Sequence, residues 1–469
     1  MELQNLDCRK SSLEASASIR SLGRRAEILA NKTVTANGSK EQVTQSNNDC
    51  SGSPATPGVT KKQKILAHVQ FLTLCWTLFL AGWNDGTTGP LIPRIQKVYN
   101  IGFAIVSLIF VFACLGFIVG ALANIYLTDR FGFGKVGGNL SLIVIFFGSL
   151  CQVVAYAIQC SAPPFPAFVL AYSINGIGIA LQDAQANGFV ATLKNNPETK
   201  MGVLHAAYGL GAFAAPLVAT QFAGLPRWSF HFLTSLGLAV SNSILLILVF
   251  KLKRQDECLT SAGEVIPETS AGQDITTSSF HQVLRTKAVH LIAIFILIYV
   301  GVEVTIGGWI VTFIINERGG GHSAGYISSG FFGGLTVGRV LLLPVNKKIG
   351  EWRVLFIYSL LAISLELTIW FIPSLIGNAV AVSIVGMLLG PMYPIAMNQA
   401  SRILPRWILT GSIGWIAGFG QAGSALLPFI TGAIASARGI ISLQPLLISM
   451  MTTMMVLWWF VPAAPRRPE

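Results

Sequence analysis

GALANIYLTDRFG at residues 120–132 and GRVLLLPVNKKIG at residues 338–350 decide how this chain is read. Each starts in glycine, follows the second long apolar run of its half, and ends in a charged turn at equal spacing. A second match lies in the first run of each half, where Asp85-Gly-Thr-Thr-Gly89 parallels Glu303-Val-Thr-Ile-Gly307. Short matches carry little weight singly. They gain it from the count of apolar runs, which divides into six and six.

Those runs recur from Ile65 to Pro462, and each of roughly twenty residues is long enough to cross a ~30 Å hydrocarbon layer as a helix. Hydrophobic residues make up 52% of the chain and charged residues 11%, a balance that a water-soluble fold has no means of hiding. Backbone groups in lipid must bond internally, so spans are helices or closed-barrel strands. These runs are too long and too uniformly apolar for barrel strands. The expected spans are about 65–89, 102–127, 136–158, 166–191, 200–224, 228–250, 289–315, 324–345, 352–372, 376–400, 409–436 and 442–462. The fold class is therefore an all-α membrane protein, with twelve transmembrane helices in two pseudo-symmetric six-helix bundles. Halves of this kind let a central site open to either side by rocking.

Polar segments set the expected domain limits: a disordered tail over 1–60, a first bundle over 61–250, a linker over 251–287, a second bundle over 288–463 and a short tail over 464–469. Leu13–Leu29 reads as solvated tail. Nineteen Lys and Arg residues near the span ends fall on one side and five on the other. That bias puts both termini and the linker in the cytosol, which leaves the sequons at Asn31 and Asn37 unused. The plasma membrane and an organelle membrane such as the vacuole both fit.

The net charge of +12 does not form one basic patch, since the cations sit at the ends of apolar runs; a nucleic-acid partner is not expected. Seven cysteines without CxxC pairing give no disulfide framework or zinc site. There is no HExxH, no nucleophile and base at useful spacing, and no Walker or Rossmann context. The chain is thus not read as an enzyme, and no cofactor or metal is expected. The expected partners are lipid, a small-molecule solute and protons, with the chain acting as a monomer.

Carboxylates inside apolar spans cost about 2.5–3.5 kcal/mol on insertion scales, so each needs a reason. Asp85 ends a four-residue stripe from Thr73 through Thr77 and Ala81 that can line a cavity. Asn175, Asp183 and Asn187 share a face of the fourth span, flanked by Gln182 and Gln185. Glu303 lies about four turns into the seventh span, one turn from Tyr299. A carboxyl held from water can be neutral in one state and charged in another, as proton coupling requires. Glu366 has no polar companions and reads as structural. Asn84, Asn398 and Gln421 are candidates for binding hydroxyls, and Trp83 and Trp309 for stacking on a sugar ring or anchoring the spans. His205 lies near a helix end. Arg339 can snorkel or pair with an acid.

The loop Asp129-Arg130-Phe131-Gly132-Phe133-Gly134-Lys135 resembles the Asp-Arg-x-Gly-Arg-Lys loop of the major facilitator superfamily, with Phe133 and Gly134 where a basic residue is usual. The resemblance covers residues 65–462 and implies that Asp129, Arg130 and Lys135 gate the conformational change; Arg339 is a further gating candidate from its place in the eighth span. Trp83-Asn84-Asp85, Asp183-Ala-Gln-Ala-Asn187, Tyr299-Val-Gly-Val-Glu303 and Gly390-Pro-Met-Tyr-Pro394 further resemble the fucose:proton symporter family and its sugar-permease-like relatives in fungi. That resemblance implies sugar binding and proton coupling at Asp85 and Asp183. The family's fourth-span acid is usually Glu, and Gly188 replaces a proline that often follows Asn187. The expected function is proton-coupled transport of a small polar solute such as a monosaccharide. Export of a secondary metabolite or drug-like compound, or a nutrient receptor that no longer transports, are the alternatives.

Overall fold

Thr60 starts the first helix with a reciprocal cap. Its hydroxyl accepts from the Gln63 amide, and the Gln63 side chain accepts from the Thr60 N–H at 2.8 Å. The computed structural model describes residues 60–131, 140–193, 196–251, 255–261 and 277–463. The expected tail, Leu13–Leu29, both sequons and the 464–469 segment lie outside these residues.

The first half contains α1 (Lys61–Tyr99), α2 (Leu108–Phe131), α3 (Leu140–Cys160), α4 (Phe165–Ala191), α5 (Pro197–Ala223) and α6 (His231–Phe250). The second contains α7 (Lys287–Arg318), α8 (Tyr326–Leu341), α9 (Glu351–Phe371), α10 (Leu375–Leu389), α11 (Arg406–Arg438) and α12 (Leu443–Phe460). Among the described residues ten helices are long and apolar enough to cross a membrane. An eleventh crossing is a pair, Ser323–Leu341 and Leu343–Ile349, bent by 53°. Within α3, Val144–Cys160 is a shorter apolar helix. The polar stretch between the halves carries two short helices, Gln255–Ser261 and Thr277–Arg285.

Two of the element limits that differ from the sequence expectation lie at proline. The first span was expected to stop near Gly89, yet α1 runs through Pro90 and Pro93 to Tyr99. An interior proline costs about 3 kcal/mol, which the complete burial of Leu91, Ile92 and Ile95 offsets. The tenth span breaks at Gly390-Pro391 and resumes as Met392–Ile403.

The repeat is visible as matched helix contacts. In the first half α2 lies against α4, so that a Cβ at Gly116 would stand 2.0 Å from the Ser173 carbonyl oxygen. In the second half α8 lies against α10 in the same way, with Gly338 at 2.0 Å from the Met387 carbonyl oxygen. Likewise α1 packs on α5 through Gly211 and the Phe79 carbonyl, and α7 on α11 through Gly423 and the Leu297 carbonyl. Small residues at such crossings let backbones approach where lipid offers no hydrophobic drive.

Hydrogen bonds fix which helix ends lie together. Trp352 at the start of α9 donates to the Val461 carbonyl, and Gln70 of α1 donates to the Cys258 carbonyl beyond α6. Thr60 and Ala463 thus lie at one end, the terminal end. At the other, far end, Tyr99 donates to the Pro163 carbonyl and Arg94 to the Leu225 carbonyl.

The two bundles meet at the far end. A Cβ on Gly89 would stand 2.1 Å from the Gly307 carbonyl oxygen, so the paired glycines of the duplicated motif touch each other there. The Ala104 amide donates to Ser436 Oγ at 2.8 Å, Gln221 bonds Tyr326, and Trp309 packs against Phe103 and Phe110. Toward the terminal end the same contacts part. Gly209 of α5 abuts Thr336 of α8, but Gly202, two turns nearer the terminal end on that stripe, has nothing within 4 Å. Gly432 of α11 abuts Ser107, but Gly418, some four turns back, meets nothing. A hollow between the bundles therefore opens at the terminal end.

Candidate functional site

Asp85 keeps accessible surface although protein surrounds it, which places its carboxyl on the hollow. Its Oδ2 accepts from the Tyr208 hydroxyl at 2.5 Å and its Oδ1 from Asn84 Nδ2 at 3.1 Å. Close packing of α5 on α1 delivers that tyrosine: a Cβ on Gly82 would lie 1.9 Å from the Tyr208 carbonyl oxygen. Behind Asp85, the Asn84 Oδ1 accepts from Asn175 Nδ2 at 2.5 Å, and Asn175 also donates to the Tyr156 hydroxyl at 3.4 Å. The stripe expected above Asp85 does not line the hollow, since Thr73, Thr77 and Ala81 are all buried and Thr77 bonds Asn242 of α6.

Asp183 is half-buried and close enough to Asp85 to interact electrostatically. Asn187, one turn on, donates to Asp183 Oδ1 at 2.9 Å, while the Asn187 Oδ1 is buried without a partner. Glu303, on α7, is close enough to Asp85 to interact electrostatically. Its Oε1 lies 3.9 Å from the Arg339 guanidinium, with 15% and 27% of the two side chains exposed. Arg339 therefore pairs with an acid of its own bundle.

Tyr299 donates to the Leu389 carbonyl at 3.1 Å and lies beside both Glu303 and Arg339. The Tyr393 ring lies tilted against Tyr299, 6.2 Å between centroids, within electrostatic reach of Asp183, Glu303 and Arg339. His205, exposed on α5, faces Arg339. Gln421 is half-buried on the same stripe of α11 as Gly414 and Gly418, whose outer sides are open.

Several expected residues lie elsewhere. Gln182 donates to the Ile145 carbonyl of α3 and Gln185 to Asn124 of α2, so both tie helices together and are turned away from the hollow. Asn187 thus stays with Asp183, while the flanking amides do not. Trp83 stacks on His231 and donates to Ser235, and Trp309 is fully buried with its N–H on the Pro428 carbonyl. Neither ring is free to stack on a solute, nor is either an interfacial anchor; a large ring with one donor is best satisfied in the core. Asn398 bonds Glu351, which pairs with Arg402 at 3.0 Å, near the terminal end of the second bundle. Glu366 is buried inside the second bundle next to Gln444 of α12. Lys135 and the side chains of Asp129 and Arg130 lie outside the described residues.

Tyr208 and Tyr393 escaped the reading of the sequence. The available signals were a single tyrosine in the small-residue run Ala206-Ala-Tyr-Gly209 and the helix break at Gly390-Pro391 that precedes Tyr393.

Two repeated helical bundles around a polar, one-sided hollow define a membrane carrier fold. The model of the Major Facilitator Superfamily matches residues 74–407, and the chain belongs to that superfamily of transporters. It is similar to Bypass of stop codon protein 6 of Saccharomyces cerevisiae, with 26% identity over 82% of this chain and 80% of the relative. Glucose/mannose transporter GlcP of Bacillus subtilis is 23% identical over 76% of this chain and 85% of the relative. A glucose/galactose transporter of Brucella abortus is 26% identical over 78% and 88%. Among solved structures, the E. coli fucose:proton symporter FucP superposes with a TM-score of 0.56 at 16% identity, covering 86% of this chain and all of FucP. A D-xylose-proton symporter gives a TM-score of 0.67 at 14% identity, over 85% and 98%. At these identities the structures show the fold alone.

Proposed function

We propose that this transporter carries a small polar solute, a monosaccharide being the best fit, in exchange for the free energy of a proton gradient, by alternating access. The observation that carries the reading is the convergence of three carboxyls from α1, α4 and α7 on one hollow with a guanidinium from α8. Acids at that depth are costly unless they bind solute or cycle through protonation. The amides of Asn84, Asn187 and Gln421 and the hydroxyls of Tyr208 and Tyr393 supply the donors and acceptors a polyol requires. The relatives named as glucose, mannose and galactose transporters support the sugar reading.

The charge bias of the span ends supports cytosolic termini, which makes the state described here open to the cytosol. In this reading residues 1–60 are a cytosolic tail, 61–250 and 288–463 the rocking bundles, and 251–287 the strap between them. Asp129, Arg130 and Lys135 latch the cytosolic face in the opposite state.

The test is uptake into proteoliposomes across a panel of hexoses, with and without a protonophore. Concentrative uptake that collapses with the protonophore supports the reading. If Asp183→Asn and Glu303→Gln each leave proton-driven accumulation intact, the mechanism is wrong although the fold stands.

A further inference from the structure

We propose that the terminal end of the second bundle binds an anionic phospholipid, its headgroup on Lys347, Lys348 and Arg353 and its upper acyl chain on Trp459 and Phe460. The inference goes beyond transport and does not depend on which solute is carried.

Three elements are fastened together at this corner. The short helix Leu343–Ile349 carries Lys347 and Lys348, and its Asn346 Oδ1 accepts from the Tyr358 hydroxyl of α9 at 2.7 Å. The start of α9 carries Arg353. Beside it Trp352 donates to the Val461 carbonyl just past α12, and Trp458 of α12 donates back to the Trp352 carbonyl, both at 3.0 Å. The rings of Trp352 and Phe356 close on Trp459, with centroids 6.4 and 5.9 Å away. Bonds between helices thus hold the cations and the aromatic rings in one place.

The corner lacks a counter-charge. Lys347, Lys348 and Arg353 are all exposed, and none forms an ion pair with a described residue. The nearby acid, Glu351, is already engaged: Arg402 pairs with it at 3.0 Å and Asn398 donates to it at 3.2 Å. Trp459 and Phe460 stand 68% and 62% exposed in the last turn of α12, at the depth where headgroups give way to acyl chains. A lipid phosphate takes the three cations as charge-assisted donors, and the carbon chain beneath it covers the rings. Each Lys or Arg so close to an anionic leaflet contributes about fivefold in affinity.

The opposite end of α9 shows that this arrangement is particular to the corner. Phe371 is 69% exposed there beside Trp370, but the adjacent cation, Arg318, spends its guanidinium on the Ile369 and Trp370 carbonyls. That end offers aromatic surface with its cation already bonded.

The test places the full-length protein in phosphatidylcholine nanodiscs with rising fractions of brominated phosphatidylserine or brominated phosphatidylcholine. Quenching of Trp459 is read as the difference from Trp459→Phe. Half-maximal quenching is expected at a mole fraction at least about tenfold lower for phosphatidylserine, and the preference should fall to within about twofold when Lys347, Lys348 and Arg353 are all changed to Gln. Arg353→Lys, which keeps the charge, retains most of it. Should the triple variant unfold, Lys348→Glu is expected to reduce the preference by itself. Lys61, Lys62 and Lys64, changed together to Gln, lie at the same end on the first bundle and leave the preference intact. Equal quenching by the two lipids in the wild type overturns the proposal. So does an equal loss in the Lys61, Lys62 and Lys64 variant, which would mark a diffuse surface potential in place of a site.

Discussion

The far and terminal ends of this transporter use the same material, glycine at helix crossings, to opposite effect. At the far end glycines of one bundle press on the backbone of the other, as Gly89 does on Gly307; at the terminal end Gly202 and Gly418 look onto empty space. A carrier that works by rocking needs both surfaces. One is closed in any given state, and the other keeps its small residues in reserve for the next. The contrast separates glycines that are packed in this state from glycines that face open space.

The contrast breaks most easily at the far end. Leu at Gly89 cannot share space with the Gly307 carbonyl, so Gly89→Leu is expected to hold the far end apart and cut transport at least ~tenfold, about 1.4 kcal/mol of barrier. A cysteine placed at Ser328, fully buried beside Gly89, should then react with a membrane-impermeant thiol reagent that the closed protein resists. Unchanged transport would show that the seal is not obligatory. Gly202→Leu sharpens the comparison. It meets no neighbour in this state, so thermal stability should change by less than about 0.5 kcal/mol while turnover falls. If turnover is also unchanged, that surface never closes.

Between the ends the core can be probed by size. Trp309 lies buried under the far-end seal, and Trp309→Ala is expected to cost about 3–5 kcal/mol, read as a lowered melting temperature in detergent. A variant that melts normally but loses sugar affinity would return Trp309 to the binding site. The smallest effect belongs to Gln182. Its one interhelical bond of 3.3 Å should be worth about 0.5–1.5 kcal/mol. Gln182→Leu should thus lower the melting temperature slightly and leave the Michaelis constant alone.

How much was legible differs by residue. Asp85, Asp183 and Glu303 stood out because charge in an apolar run is costly wherever it sits; Asp85 is exposed and the other two are half-buried. Gln182 and Gln185 were misread because an amide is cheap enough to be spent on helix pairing, and helical spacing gives a side chain's angle without saying which neighbour lies there. Trp83 and Trp309 failed for the same reason, each adjoining a candidate acid or motif in sequence while its ring turned into the core.

Membrane embedding, the six-and-six duplication and the position of the costly charges were determined by the sequence alone, because each follows from hydration energy and periodicity along one chain. Which end is sealed, that Arg339 answers Glu303, and that Tyr208 serves Asp85 were decided only by the tertiary structure. Those facts depend on the crossing of helices far apart in sequence, where glycine contacts of a few ångströms set which side chains can meet.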